Sequence, residues 1–71
     1  MVKQWISPVP ETDDFDQPIT DRFYNAKTYM GPWAIMNQDS FDRYQKYDSL
    51  GVGKGQCYEK QPDGSWIKVG G

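Results

Sequence analysis

Four residues near the C-terminus, Gln61-Pro62-Asp63-Gly64, constrain the architecture more than any other stretch of the chain. Proline at the second position of a turn presets the backbone angle required there, and glycine suits the fourth position of a type I turn. The flanking segments, residues 56–60 and 65–69, have the length of short strands, so an antiparallel hairpin is expected. On its return strand Ile67 and Val69 share one face, and Trp66 and Lys68 share the other.

What such a hairpin packs against is set by the aromatics. The 71 residues include three Trp, five Tyr and three Phe. A buried aromatic removes about 150–250 Å² from water, which allows a short polar chain to offset the entropy of ordering its backbone. The expected core is Trp5, Phe23, Trp33, Phe41, Tyr44, Tyr58 and Ile67, with Trp33 at its centre.

The chain divides into an N-terminal arm with an acidic loop, residues 1–18, and a β-rich body, residues 19–71. Pro8 and Pro10 enforce an extended path on the arm. Trp5 and Ile6 would be wasted on a free tail and are expected to dock on the body or on a partner. Residues 11–17 form an acidic loop. A strand is expected over residues 18–24, with its hairpin turn at Tyr24-Asn25-Ala26-Lys27, because Asn tolerates the left-handed backbone of tight turns. The return strand, residues 28–36, is interrupted at Gly31-Pro32. A short helix follows, capped by Asn37 or Asp39, with Phe41, Tyr44 and Tyr47 at helical spacing. Asp39–Arg43 and Asp42–Lys46 are i,i+4 pairs along it. The most glycine-dense stretch, residues 50–56, reads as a loop.

Much chemistry is excluded. The chain has no histidine, hence no imidazole base or metal ligand. Its one cysteine, Cys57, cannot form an internal disulfide, which argues for a reducing compartment. Gly53-Lys54 lacks the spacing of a phosphate-binding loop: Asp48 stands where the first glycine belongs and Gly55 where Ser or Thr belongs. A looser nest of backbone N–H groups over residues 51–55, beside Lys54, stays open. No apolar run approaches the ~20 residues of a membrane span. The opening Met-Val-Lys-Gln-Trp-Ile, broken by the prolines, does not read as a signal peptide.

The net charge of −2 is unevenly spread. Residues 1–25 carry Lys3 and Arg22 against Glu11, Asp13, Asp14, Asp16 and Asp21. Residues 46–71 carry Lys46, Lys54, Lys60 and Lys68 against Asp48, Glu59 and Asp63. Two unlike faces are expected.

The pattern PIxxxFYxAKTxMGPWAxM, then a helix, then GVGKGQxYEKQxDGxWxKV, resembles a group of small phage-associated zinc-ribbon proteins. The resemblance runs from about Asp13 to Val69. Members of that group carry one Cys-x-x-Cys before the Pro-Ile and another after the Gly-Pro-Trp-Ala. Those positions fall here on Asp13 and Asp16, and on Asn37 and Ser40, so all four thiolates are absent. The resemblance therefore implies a zinc-ribbon-like pair of β-hairpins with one short helix and no metal or other cofactor. Two carboxylates with two neutral groups also make a poor calcium set. Structural zinc contributes on the order of 10 kcal/mol to a small ribbon, and the arm with Trp5, together with Phe15, Phe41 and Tyr47, is expected to substitute for it.

The leading functional expectation is a non-enzymatic protein-binding module, a phage factor acting on a host protein in the bacterial cytoplasm. Glu11, Asp13, Asp14, Asp16 and Lys54 are its candidate partner-binding residues. The alternatives are a nucleic-acid-binding ribbon using Lys54, Lys60, Lys68 and nearby aromatics, and an engineered metal-free scaffold.

Overall fold

The computed structural model describes residues 4–6, 8–47 and 49–71. Among these, five strands and one helix follow in the order β1 (Gln4–Trp5), β2 (Arg22–Lys27), β3 (Trp33–Met36), α1 (Gln38–Tyr44), β4 (Gly55–Lys60) and β5 (Trp66–Gly70). The strands form one antiparallel sheet in the order β1-β5-β4-β2-β3. The small β-rich class with one short helix is the class expected from the sequence.

The C-terminal hairpin closes at the Pro-Asp-Gly turn. Gly64 N–H donates to Gln61 O at 2.9 Å, Gln61 N–H donates to Ser65 O at 2.7 Å, and Gly64 takes φ +89°. That is a type I turn followed by a left-handed residue, the usual three-residue hairpin loop. Asp63 Oδ1 fastens it by accepting from Ser65 N–H at 2.9 Å and Ser65 Oγ at 2.6 Å.

The first hairpin departs from expectation. Residues 24–27 are strand, not turn, and the chain reverses at residues 28–32. Tyr24 pairs with Met36, Ala26 with Ala34 and Lys27 with Trp33. Thr28 holds the turn through both its N–H (3.1 Å) and its hydroxyl (2.8 Å), each donating to Pro32 O. Gly31-Pro32 is thus the reversal itself, and Asn25 stays extended because β3 and β4 flank it on both sides.

This register decides which residues are inside. Alternation places Tyr24, Ala26, Ala34, Met36 and Cys57 on one face, where Phe41 of α1 completes the core and Phe15, Tyr44 and Leu50 pack around it. Phe41 stacks on Tyr24 at 4.1 Å and Phe15 on Tyr44 at 4.0 Å, measured between ring centroids. The opposite face carries a second aromatic group. Trp5 meets Phe23 and Tyr58 edge-on at 5.2 and 5.3 Å, and Trp66 leans on Phe23 at 5.2 Å. Phe23, at its centre, is fully buried.

Two expected core residues are corrected. Trp33 is 43 % exposed, because Ala34 and Met36 take the inward positions on β3 and its odd-numbered residues look the other way. Ile67 is half-buried opposite Glu59 and Gln4, outside the main cluster, while its neighbour Trp66 packs on Phe23.

Asn37 is the helix cap: its side chain accepts from Ser40 N–H at 2.8 Å, a contact worth about 1 kcal/mol. The helix stops at Tyr44, before Tyr47, since Gln45 bridges to Thr28 and Lys46 N–H donates to Lys27 O. The i,i+4 pairs expected along it do not form. Arg22–Glu59, an exposed cross-strand contact, is the ion pair found among the described residues.

Candidate interaction site

Two features stand out, and Asp13 organises the first. Its loop is closed by a bridge between Thr12 and Pro18 and by Ile19 N–H donating to Glu11 O at 2.8 Å. Inside the loop, Asp13 Oδ1 accepts from Phe15 N–H at 2.8 Å and Gln17 N–H at 2.9 Å. Asp13 Oδ2 reaches across the chain and accepts from Asn37 N–H at 2.9 Å. Asp14 secures the contact along β3, donating its N–H to Ile35 O at 3.0 Å while its Oδ2 accepts from Ile35 N–H at 2.9 Å. Asn37 Nδ2 donates back to Pro18 O at 3.1 Å.

Asp13 is only 6 % exposed. Burial by itself would raise its carboxyl pKa, but the N–H groups of Asn37, Gln17 and Phe15 outweigh it. The carboxyl is held below the ordinary range. Ser40 Oγ is itself buried and meets no partner within bonding distance. The sequence positions Asp13, Asp16, Asn37 and Ser40 therefore lie in a loop and a helix start that touch: Asp16 N–H donates to Asp13 O at 3.1 Å, Asp13 bonds Asn37, and Asn37 bonds Ser40. Among the described residues no cluster of His, Cys, Asp and Glu could hold a metal ion.

The partner-binding residues expected from sequence separate here. Glu11 and Asp16 are exposed on the loop, with Asp16 in the left-handed region at φ 65°. Asp14 is exposed, but one carboxylate oxygen is engaged by Ile35 N–H. Asp13 is buried and faces inward, so it is not available to a partner. Asp39, which the sequence reading treated only as a helix residue, lines a small recess with Phe15, Gln17 and Arg43 and extends the acidic side. Lys54 does not belong to this surface. It sits at the far end of β2, where its carbonyl accepts from Lys27 N–H at 3.0 Å.

That far end is the second feature. Lys46 N–H donates to Lys27 O at 3.0 Å, so the main chains of Lys27, Lys46 and Lys54 are joined directly. The Lys46 and Lys54 ammonium groups lie 5.7 and 6.0 Å from the centre of the Tyr47 ring. Trp33 pairs with Lys27, and the adjoining turn exposes Tyr29 and Met30. Lys27 is not singled out by the sequence, because a turn drawn at residues 24–27 hides its meeting with Lys46 and Lys54.

The lysines proposed from sequence for nucleic acid do not converge. Lys54 and Lys60 lie at opposite ends of β4, about 20 Å apart at ~3.3 Å per residue. The loose N–H nest over residues 51–55 is also largely consumed, since Gly51, Lys54 and Gly55 all donate within the loop. Cys57 is buried and burial pushes its thiol up, which favours the unreactive protonated form. An open cleft of roughly 450 Å³ lies between Asp21, Arg22, Gln38, Asp39, Glu59 and Lys60, with the Arg22–Glu59 pair on its wall. Among the described residues no helix is long and apolar enough to cross a membrane.

No protein-family model matches this chain, and no curated protein and no solved structure matches it.

Proposed function

We propose that the chain is a non-enzymatic module, of phage origin, that docks on a basic surface of a host protein. The observation carrying this reading is the loop held by Asp13. Hydrogen bonds from Phe15, Gln17 and Asn37 fix its backbone, so Glu11 and Asp16 are displayed with little ordering left to do on binding. Asp39 beside Gln17 adds to the same side. The scaffold in this proposal is a ribbon in which a buried carboxylate takes the organising position that zinc holds in the proteins it resembles. What supports it is the contact between the loop and the helix start where the four ligand positions would fall.

The test uses three variants in capture of proteins from bacterial lysate. Glu11→Gln with Asp16→Asn removes the displayed charge and should abolish retention of a basic protein held by the wild type. Asp13→Asn leaves the surface charge alone but frees the loop, and should weaken retention. Capture of the same proteins in the same amounts by the charge-neutralised variant would overturn the proposal.

A further inference from the structure

We infer that the lysine-rich end of the sheet is a second binding site, and that its ligand is single-stranded nucleic acid. The starting point is an unfavourable arrangement. In a chain of net charge −2, the main chain of Lys27 is hydrogen-bonded to those of both Lys46 and Lys54. Like charges placed side by side repel. Among the described residues no carboxylate pairs with any of them, and Lys54 Nζ donates instead to Ser49 Oγ at 3.3 Å. Asp48 lies outside the described residues. A polyanion relieves the repulsion.

Which polyanion fits is set by the aromatics. Trp33 is 43 % exposed and is the cross-strand neighbour of Lys27. Tyr47 lies beneath the Lys46 and Lys54 ammonium groups, and the nearby Tyr29, 62 % exposed, stacks on Tyr44 at 6.3 Å between ring centroids. Flat rings beside lysines bind unpaired bases and the phosphates between them, without sequence preference. A duplex hides the faces of its bases and would leave these rings unused. The set differs from Lys54, Lys60 and Lys68, which the fold disperses.

A labelled short oligothymidylate titrated with the full chain tests this by anisotropy, with tryptophan emission recorded in parallel. Three phosphate contacts on a single strand imply about a 20-fold loss of affinity between about 50 and 200 mM salt. Trp33→Ala should weaken binding on the order of tenfold. Trp33→Phe should retain most binding but remove the quenching of tryptophan emission, since Trp5 and Trp66 are in the aromatic cluster away from this end. Lys27→Gln, Lys46→Gln and Lys54→Gln together should abolish binding, whereas Lys60→Gln should not change it. Absence of an anisotropy change at low salt, or equal binding by the triple variant, would overturn the inference. Competition by a polyglutamate peptide as effective as by unlabelled oligonucleotide would overturn it too, and would assign the site to an acidic protein segment.

Discussion

Asp13 Oδ2 accepts the Asn37 main-chain N–H at 2.9 Å, and through that bond the acidic loop is fastened to the start of the helix. The other oxygen of the same carboxylate accepts from Phe15 and Gln17 N–H within the loop. One buried side chain thus terminates three main-chain donors that have no other partner nearby. Asn37 is in turn the residue that caps α1 through Ser40 N–H, so the loop and the helix start share a single network.

Replacing Asp13 by Asn should be costly. The amide keeps one acceptor but turns an NH2 group toward a former donor, leaving at least one part-buried N–H unsatisfied. A loss of about 2–3 kcal/mol is expected from urea unfolding. In a domain of this size that lowers the melting temperature by about 10 °C or more.

The same carboxylate sets an acid limit. Its folded pKa is depressed below the ordinary value, so its contribution is fully present above the unfolded pKa, ~3.9. It is lost as pH falls through the lower folded value. The stability gap between wild type and Asp13→Asn should therefore be constant near neutrality and close below about pH 4. A gap that persisted unchanged into strong acid would contradict the ionised state assigned to Asp13.

Gly55 faces Ala26 across β2 and β4, and a Cβ on Gly55 would fall 2.5 Å from the Ala26 Cβ. Gly55→Ala should cost about 1–3 kcal/mol. Adding Ala26→Gly to that variant should recover part of the loss, because it removes the atom in the way. Chemical unfolding of the two single variants and the double variant measures the coupling.

The aromatic group around Phe23 is expected to matter far more than the exposed ion pair. Trp5→Ala removes edge contacts to both Phe23 and Tyr58 and should destabilise by about 2–4 kcal/mol. Arg22→Gln, which breaks the exposed pair with Glu59, should change stability by less than about 1 kcal/mol. Trp33→Ser should also be close to neutral in thermal unfolding, since Trp33 is exposed.

Legibility in the sequence followed how local each signal is. The turn at Pro62-Asp63-Gly64 and the Asn37 cap are written in adjacent residues, and both form as their chemistry dictates. The first hairpin was misplaced because two turn signals compete, Asn25 and Gly31-Pro32. Strands on both sides of β2, which only the assembled sheet supplies, decide between them. Shifting that turn also moved Trp33 from core to surface and hid the meeting of Lys27, Lys46 and Lys54. From sequence Asp13 reads as a vacated ligand position and a partner-binding acid in a loop; its inward turn depends on Asn37, 24 residues away.

Amide hydrogen exchange in the wild type and in Asp13→Asn probes the role of that carboxylate most directly. The N–H groups of Phe15, Gln17 and Asn37 should be protected in the wild type and exchange much faster in the variant, while sheet amides such as Tyr24 and Tyr58 stay protected. If all three amides kept their protection without the carboxylate, Asp13 would not be what holds the loop to the helix start.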